Sequence, residues 1–336
     1  MFSWIGRKVA ITGATGFVGS HAALELRRQG AEVVALVRAT SNVHRLRAAG
    51  IACQVASLED TSELAHCLAG CDLVIHVAGA VGFDGAWETY YRVNVQGTRN
   101  LLEAARQAGV RRLVHTSSIV AVGASDTAAS LDEKARWNLR SQRVPYVTTK
   151  RWAEECALAA NGKLEVVVVN PASVIGPDDF TDSEFGKLCK RFWKGRVPIY
   201  FGGGNNYIDV RDVAQGIRLA AERGRPEERY LLTGENRTYH AFFCDLCRTA
   251  RQTIPRLRLP DALATVIGYV NDHVRRRGTK PPSLSSAQAA LLGLYFYFDA
   301  SKARRELGFG SRPLAQSLAD AHAFWIMTPQ QRALSA

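Results

Sequence analysis

A tyrosine and a lysine four positions apart, Tyr146 and Lys150, are the residues of this chain whose types and spacing most clearly allow chemistry. In a helix, this spacing places the two side chains on the same face. An ammonium group near a phenol stabilises the phenolate and lowers the tyrosine pKa from about 10 towards the working pH. Tyr146 is therefore predicted to donate or accept a proton, although the same spacing also occurs by chance in helices without that role.

A glycine-rich segment lies between the first apolar run of the chain and the helical pattern that follows it. Its glycines have the spacing G-x-x-G-x-x-G. Glycine permits a tight turn and a close backbone approach, and the N–H groups at the start of a helix attract a pyrophosphate. In this strand–loop–helix context we interpret the segment as a dinucleotide site rather than a purely structural turn. The predicted cofactor-binding residues in it are Gly13, Thr15, Gly16, Phe17, Val18 and Gly19.

The residue after the second apolar run indicates which dinucleotide is preferred. NAD-binding proteins usually place an acidic side chain about 20 residues beyond the glycines to bind the ribose 2′-hydroxyl, whereas an arginine suits a 2′-phosphate. Here the run ends in Arg38, and Thr40, Ser41 and Asn42 follow without an acidic residue. Arg38 can form paired, charge-assisted hydrogen bonds to a phosphate, with a solvated surface arginine as the other interpretation. We therefore expect NADP(H) to be preferred, with NAD(H) as the alternative cofactor.

Short apolar runs alternate with amphipathic segments through the first half of the chain. The runs are Val9–Ile11, Val33–Val37, Ile51–Val55, Leu73–Val77, Leu113–His115 and Val166–Val169. Their composition predicts parallel strands that are buried on both faces. Gly30, Gly50, Gly70 and Gly109 each separate a helical segment from the next run, where a helix C-cap favours a left-handed residue. The pattern predicts an α/β fold with a doubly wound parallel sheet of the Rossmann type.

The regular alternation fades after about Pro177. Residues 1–175 are predicted to form the dinucleotide-binding domain, to which the chain returns at about 205–235, and residues 176–336 the substrate-binding region. Further strands are predicted over Val197–Tyr200 and Tyr230–Leu232, helices over Asp209–Glu222, His240–Arg251, Asp261–Arg277 and Ser301–Leu307, and an apolar run spans Leu294–Phe298. The C-terminal part is therefore expected to be a smaller, mostly helical substrate domain.

The predicted helix Asp261–Arg277 has an apolar stripe on one side. The stripe consists of Leu263, Val266, Ile267, Val270 and Val274. We expect it to pack on its own domain, with contact to a membrane or to an apolar substrate as the alternatives. The basic run Arg275-Arg276-Arg277 with Lys280 is interpreted as a solvated helix end rather than a binding patch, because cations suit helix C-termini.

Composition restricts the class of partner and the compartment. A net charge of +12 favours an anionic ligand, but the basic residues are scattered and form no nucleic-acid-binding motif, so no nucleic acid is expected. The seven cysteines lack a disulfide-like spacing, and Cys244-x-x-Cys247 has neither a second pair nor a suitably spaced histidine. Free thiols and no metal site are therefore expected. No apolar run reaches the roughly 18 residues of a membrane span, and no room for a signal peptide precedes the first strand, so a cytoplasmic location is expected.

The glycine loop, a serine after the fifth strand and the Tyr146-x-x-x-Lys150 pair occur in an order that resembles the extended short-chain dehydrogenase/reductases, the NAD-dependent epimerase/dehydratase superfamily. Other segments that resemble family motifs are Val74–Gly79, Asn94–Thr98, Asn170–Pro177, Asp209–Ala214 and Asp299–Gly308. The resemblance covers nearly the whole chain and is closest to the dihydroflavonol-reductase-like and 3β-hydroxysteroid-dehydrogenase-like branch. One departure is Ser57, which stands where the family usually has an acidic residue near the adenine.

The resemblance implies a role for each residue of the site. Ser118, with Ser117 as the alternative, would hydrogen-bond the reacting oxygen, Tyr146 would exchange a proton with it, and Lys150 would bind the cofactor ribose and lower the tyrosine pKa. The implied cofactor contacts outside the glycine loop are Arg38, Ser57, Leu58, Ala78, Tyr146, Lys150, Pro171 and Ser173.

The surroundings of the site are less clearly specified by the sequence. Four aromatic residues, Phe83, Trp87, Phe185 and Trp193, are candidates to line an apolar pocket, and ordinary packing is the alternative. Family chains often pair through helices like those that start near Trp87 and Tyr146, so the resemblance implies a homodimer. A monomer in light scattering would contradict this expectation.

The leading hypothesis is an NADP(H)-dependent oxidoreductase that interconverts a ketone and a secondary alcohol on a mostly apolar small molecule. The alternative is a sugar-nucleotide epimerase or dehydratase that keeps NAD tightly bound, which predicts that cofactor copurifies with the protein. A third hypothesis is a dinucleotide sensor without turnover. The activated tyrosine argues against a sensor, because a binding module does not need such a group.

Overall fold

The computed structural model describes residues 2–83, 85–140, 144–160, 162, 164–275 and 284–328, with elements numbered in chain order. The strands of its central sheet are β1 (Lys8–Thr12), β2 (Glu32–Val37), β3 (Ala52–Val55), β4 (Leu73–His76), β5 (Arg112–Thr116), β6 (Glu165–Pro171) and β10 (Arg229–Leu232). They lie in the order β10-β6-β5-β4-β1-β2-β3, and every neighbouring pair is parallel. The predicted doubly wound parallel sheet is confirmed.

Helices cover both faces of this sheet. They are α1 (Phe17–Arg28), α2 (His44–Ala48), α3 (Thr61–Leu68), α4 (Trp87–Tyr90), α5 (Gly97–Gln107), α6 (Pro145–Leu158) and α8 (Val210–Arg223), with a π-helical turn over Tyr91–Gln96 between α4 and α5. Successive side chains of β1 enter different cores, because alternate residues of a strand point to opposite faces. Val9 and Ile11 pack in the core beneath α1 and α8, whereas Ala10 packs in the core beneath α3 and α5.

The four glycines predicted to end helices have the left-handed backbone that this position favours. The φ angles of Gly30, Gly50, Gly70 and Gly109 are +95°, +71°, +72° and +69°. Each of them lies between a helix and the following strand. The prediction of a repeated helix–glycine–strand unit is therefore confirmed.

The C-terminal region contains the expected helices and a short strand within the predicted segment Val197–Tyr200, together with helices and short strands that the sequence does not predict. The helices are α7 (Glu184–Trp193), α9 (Tyr239–Thr249), α10 (Asp261–Arg275), α11 (Ser286–Ala289), α12 (Ser301–Leu307) and α13 (Leu314–Ile326). The strands β7 (Ser173–Ile175), β11 (Glu235–Thr238) and β13 (Tyr295–Phe296) each pair with β9 (Gly204–Asp209), and β8 (Ile199–Tyr200) pairs with β12 (Leu257–Arg258). Tyr207 of β9 stacks on Phe242 of α9 with 3.7 Å between ring centroids.

The chain returns to the central sheet after its first excursion into this second sheet. Helix α8 packs beside α1, where Arg218 donates to Glu25 over 3.1 Å. Strand β10 then pairs with β6 at the edge of the central sheet. The division of the chain into domains at residue 175 stays a prediction.

The apolar stripe of α10 does not pack on its own domain, so that expectation is wrong. Val266 and Val270 are exposed, whereas Ala264 and Gly268 on the other side are buried. A Cβ atom on Gly268 would lie 2.9 Å from Cα of Ser286, so the small residues let α10 pack closely on α11. Arg276, Arg277 and Lys280 of the predicted basic run lie outside the described residues. No helix in the described part of the chain has the length and apolar character that a bilayer-spanning segment requires.

Gly13 allows the loop after β1 to approach the end of β4. Its φ is +73°, and a Cβ atom there would lie 2.6 Å from the backbone nitrogen of Ala78. Gly70 has nearly the same φ, +72°, but no atom lies within 4 Å of the position of its Cβ. The two glycines therefore share a backbone conformation and differ in the space around it.

We expect Gly13→Ala to destabilise the protein much more than Gly70→Ala. The shared left-handed conformation costs about 1 kcal/mol at either position. The clash with the β4 end adds about 1–3 kcal/mol at Gly13 alone, because backbone atoms cannot rotate away as a side chain can. Urea unfolding of both variants measures the difference in free energy. Equal losses would show that the close contact at Ala78 relaxes without cost.

Candidate active site

Helix α6 presents Tyr146 and Lys150 on one face beside the end of β5. Pro145 occupies the start of the helix, where its missing N–H removes no hydrogen bond. The Ser118 side chain lies beside the Tyr146 hydroxyl, where it acts to lower the pKa of the phenol. The Lys150 ammonium donates to the carbonyl oxygen of Thr116 over 2.9 Å. The structure thus brings the three predicted catalytic side chains together at the carboxyl edge of the sheet.

The pKa of Tyr146 is raised rather than lowered, which corrects the prediction from the spacing. Burial disfavours the phenolate and is the larger effect, while the neighbouring Ser118 side chain partly lowers the pKa. The ammonium of Lys150 is not among the groups that shift the pKa of Tyr146, and it donates to the Thr116 carbonyl. Tyr146 therefore carries its proton at neutral pH and is suited to donate it.

Lys150 belongs to a column of buried charges on α6. Burial lowers the pKa of Lys150 to about 8, and the nearby Glu154 carboxylate opposes this shift. Glu154 has no exposed surface, and its Oε1 lies 3.0 Å from Nη1 of Arg229. Its Oε2 accepts a 2.6 Å hydrogen bond from Nδ2 of Asn170, which also donates to the carbonyl oxygen of Ser118 over 3.0 Å. Glu154 thus offsets the charge of Lys150, and through Asn170 it also helps to hold the backbone of Ser118.

The two candidate serines differ in their surroundings. Ser118 has extended backbone angles and caps the short 3₁₀ turn Ile119–Ala121, and its side chain reaches Tyr146. Ser117 is buried, and its hydroxyl has no hydrogen-bond partner in the part of the chain that the structure describes. Contact with Tyr146 favours Ser118 over Ser117 as the hydroxyl at the reacting oxygen.

Asn94 is a site residue to which sequence reasoning assigned no role. It lies in the π-helical turn and is buried. Its amide donates to the carbonyl oxygen of Ala80 over 3.1 Å and accepts from the nitrogen of Ala80 over 2.7 Å. Asn94 also donates to Thr149 of α6 over 3.1 Å. The signal for it was the motif Asn94–Thr98, and π turns of this kind are frequent at functional sites.

The buried His76 is hydrogen-bonded to two residues that hold Asn94 and the backbone at the end of β4. Thr98 donates to the carbonyl oxygen of Asn94, so its oxygen accepts from Nε2 of His76 over 3.0 Å. Nδ1 of His76 is then the acceptor and lies 2.7 Å from the hydroxyl of Thr12, which accepts from the nitrogen of Ala78. Burial lowers the pKa of His76 to about 3, so the ring stays neutral. The network therefore fixes one tautomer of His76 and the backbone of the β4 end.

His115 lies beside His76 on the neighbouring strand, and neither of its ring nitrogens has a hydrogen-bond partner among the described residues. The two rings lie 5.2 Å apart between centroids. Burial holds the pKa of His115 well below its usual range, and it remains uncharged. We assign His115 to packing between the sheet and the site.

The glycine loop fits a dinucleotide phosphate. Gly16 caps α1 with extended backbone and no side-chain hydrogen bond, and the first helical turn carries no acidic residue. The N–H groups at the start of α1 are therefore not capped by a side chain, and the positive end of the helix dipole faces the loop. A Cβ atom on Gly79 would lie 3.2 Å from Oδ1 of Asn94 and 3.8 Å from Nζ of Lys150, so this backbone also approaches these two side chains closely.

The predicted contacts for the adenosine half lie at the carboxyl ends of β2 and β3. Arg38 directly follows β2, and its side chain is exposed. Ser57 is exposed, and its backbone nitrogen donates to Glu63 over 2.8 Å. The carbonyl oxygen of Leu58 is held by Asn100 over 2.8 Å. Of the two acidic residues that follow, Glu59 lies 3.5 Å from Arg92, and Asp60 caps α3.

The residues predicted near the nicotinamide lie where β6 passes into the second sheet. Pro171 ends β6, and Ser173 begins β7. The hydroxyl of Ser173 accepts from Nδ2 of Asn205 over 2.9 Å. This contact ties the predicted cofactor segment to the sheet that precedes α8.

The four aromatic candidates for an apolar pocket separate into two groups. Phe83 lies with its ring 6.1 Å from that of Tyr146, and Trp87 lies 5.4 Å from Trp152 on the outer side of α6. Phe185 and Trp193 belong to the separate core of the C-terminal region. They also line a small cavity of about 30 Å³ that reaches Phe17 at the start of α1. Of these four aromatic residues, Phe83 is therefore the one whose ring borders Tyr146.

The thiols and acidic groups of the described residues form no metal centre. All seven cysteines are free, including Cys244 and Cys247 on α9. In the part of the chain that the structure describes, no group of three or more histidine, cysteine, aspartate or glutamate side chains is placed to hold a metal ion.

Known proteins resemble this chain over most of its length. Residues 9–232 match the family model described as the NAD dependent epimerase/dehydratase family. A Synechocystis sp. protein with the provisional name dihydroflavonol 4-reductase is 36% identical, over 93% of this chain and 92% of its own. Sterol demethylase protein B of Methylococcus capsulatus is 34% identical, over 94% and 97%. The solved structure of a nucleoside-diphosphate-sugar epimerase from Pseudomonas aeruginosa has a TM-score of 0.79 at 28% identity, over 95% and 97%.

We expect Glu154→Gln to cost about 3 kcal/mol of unfolding free energy, because it leaves the guanidinium of Arg229 partly buried without its counter-charge. Combining it with Arg229→Met should recover much of this loss, since the unpaired charge is then removed as well. Glu155→Gln is the matched control, because Glu155 pairs with Arg151 in an exposed i,i+4 arrangement worth at most about 0.5 kcal/mol. Urea unfolding of the single and double variants gives the coupling energy, and additive losses would exclude the buried pair.

Proposed function

We propose that this chain, which belongs to the NAD dependent epimerase/dehydratase family and within it to the extended short-chain dehydrogenase/reductases, interconverts a ketone and a secondary alcohol with NADP(H). The observation that carries the proposal is the contact of Tyr146 with Ser118, one helical turn from Lys150, beside the glycine loop. An NAD(P)-dependent enzyme of this family needs a proton donor or acceptor at the reacting oxygen, and these side chains provide it.

In this proposal the dinucleotide, when bound, supplies or accepts the hydride at the reacting carbon. Ser118 and Tyr146 hydrogen-bond the substrate oxygen, where negative charge develops during reduction. Tyr146 passes its proton to that oxygen, and burial favours this direction because it keeps the phenol protonated at neutral pH. Lys150, one helical turn further along α6, holds the Thr116 carbonyl at the end of β5.

Two observations support a mostly apolar substrate. Tyr146 is bordered by the rings of Phe83 and Tyr90, at 6.1 and 6.3 Å between centroids. Two relatives of the chain carry names that refer to a dihydroflavonol and a sterol, both of which are polycyclic compounds. An apolar wall beside the proton donor suits such a ligand, because pockets of this kind bind mainly through apolar contacts.

The homodimer stays a prediction. Trp87 of α4 and Trp152 of α6 are both partly exposed and meet edge to face, which supplies an aromatic patch on the two helices through which the pairing is expected.

Replacing the phenol tests the reaction directly. We expect Tyr146→Phe to lower kcat by about 10² to 10⁴ while dinucleotide affinity stays nearly unchanged, because only the proton-transferring group is lost. Tyr90→Phe is the matched control, since its ring also borders the site, and it should retain most of the rate. Turnover is followed as NADPH absorbance against a panel of polycyclic ketones and nucleotide sugars. Near-normal turnover by Tyr146→Phe would remove this residue from the mechanism.

The same assay distinguishes the ketone reductase from the sugar-nucleotide epimerase or dehydratase. That function requires cofactor released on denaturation in nearly equal amount to the protein, and no net consumption of NADPH with any ketone.

The cofactor preference is tested at Arg38. We expect Arg38→Ala to weaken NADPH binding by about tenfold or more, because a charge-assisted contact to the 2′-phosphate is lost, and to leave NADH binding nearly unchanged. Arg28→Ala, at the far end of α1 and highly exposed, is the control and should change neither affinity. Fluorescence titration gives both dissociation constants. Equal affinity of the wild-type protein for the two cofactors would show that Arg38 does not select between them.

A further inference from the structure

Helix α10 exposes a row of large apolar side chains. Leu263, Val266, Tyr269 and Val270 are 47%, 57%, 67% and 55% exposed. Their spacing of three and four residues places them on one side of the helix. Leu257, three residues before Pro260 and the start of the helix, is also 63% exposed. We call these five residues the α10 face.

The acidic residues of α10 lie on the opposite, attached side. Asp261 accepts a hydrogen bond from the nitrogen of Gly202. Asp272 accepts from both the nitrogen and the hydroxyl of Ser286. The α10 face itself therefore carries no carboxylate, and the helix is held by its polar and small residues while its apolar side is directed outward.

Exposed arginines flank the start of the α10 face, and the sequence places further basic residues after its end. Arg256 and Arg258 flank Leu257 and are exposed. In the sequence, Arg275 is followed by Arg276, Arg277 and Lys280, and the whole chain has a net charge of +12. An uncharged apolar strip between cationic ends complements a surface that combines negative charge with an apolar layer just beneath it.

We infer that the α10 face binds the surface of a membrane that contains anionic lipid. The helix would lie in the plane of the interface, with its apolar side chains among the acyl chains and its flanking arginines at the headgroups. Tyr269 suits this depth, because its ring is apolar and its hydroxyl is polar. The inference concerns a surface apart from Tyr146 and does not depend on the reaction proposed above.

A second copy of this chain fits the α10 face less well. In a symmetric pair the same patch meets itself, so the exposed Arg256 and Arg258 of one copy would be brought towards the equally basic patch of the other. Like charges across an interface are unfavourable, whereas the same charges are favourable at an anionic bilayer.

The test is co-sedimentation of the full-length protein with vesicles of phosphatidylcholine alone or mixed with phosphatidylglycerol. We expect binding to the mixed vesicles and much weaker binding to phosphatidylcholine. Val266→Gln combined with Val270→Gln should reduce binding on the order of tenfold, because two apolar contacts with the bilayer are lost. Ile5→Gln combined with Ile326→Gln, which alters two other side chains that are 81% and 63% exposed, is the matched control and should bind like the wild type.

Arg256→Gln and high salt should both weaken binding to the mixed vesicles, since each reduces the electrostatic attraction. Absence of binding to either vesicle would overturn the inference, as would an equal loss in the control pair. If the Val266/Val270 variant instead turned an oligomer into a smaller species in light scattering, the face would be a contact between copies. A raised KM for a soluble ketone in this variant, without lipid present, would identify the face as part of the substrate pocket.

Discussion

The burial of charge along α6 is the constraint on which the rest of the site depends. An unpaired ammonium or carboxylate inside a protein is costly, so Lys150, Glu154 and Arg229 are tolerable there only together. The two oxygens of Glu154 have different partners, the guanidinium on one side and Asn170 on the other. Asn170 also donates to the backbone carbonyl of Ser118. The position of Ser118 therefore depends on the same hydrogen bonds that neutralise the buried Glu154 carboxylate.

The parallel sheet brings these groups to one edge. His76, His115 and Val168 lie side by side in register across β4, β5 and β6, so the residues that follow these strands emerge at the same edge. Ser118 follows β5, and the carboxyl edge of such a sheet is where ligands bind in this architecture. The neutral His76 joins β1, β4 and α5 beneath that edge without introducing another charge.

Much of this arrangement could be predicted from the sequence, because its signals are local. The strands of the central sheet are continuous apolar runs, and the glycines between them follow from the backbone that a helix end requires. The proximity of Tyr146 and Lys150 follows from helical spacing, and the structure adds their position beside Ser118. The strands around β9 could not be predicted, since β7, β11 and β13 are two to four residues long and pair over large separations in the chain.

The direction of the Tyr146 pKa shift could not be predicted for a related reason. The spacing shows which charge is near, but not how much of the ring is buried or that the ammonium donates to Thr116. The outward direction of the α10 stripe was missed because the periodicity of a helix identifies an apolar side without identifying what that side meets. In α10 the small residues Ala264 and Gly268 determine the attachment, and their preference for close packing outweighs the burial of larger side chains.

The π-helical turn over Tyr91–Gln96 makes the position of Asn94 depend on the number of residues in this segment as well as on their types. Such a turn holds one more residue than an α-helical turn. Deleting a residue there would restore regular winding and rotate Asn94 by about 100° around the helix axis, which would carry its amide away from Ala80 and Thr149. Changes in chain length are therefore tolerable in surface turns such as that at Gly109, where the space around the backbone is open, but not between Trp87 and Gly97.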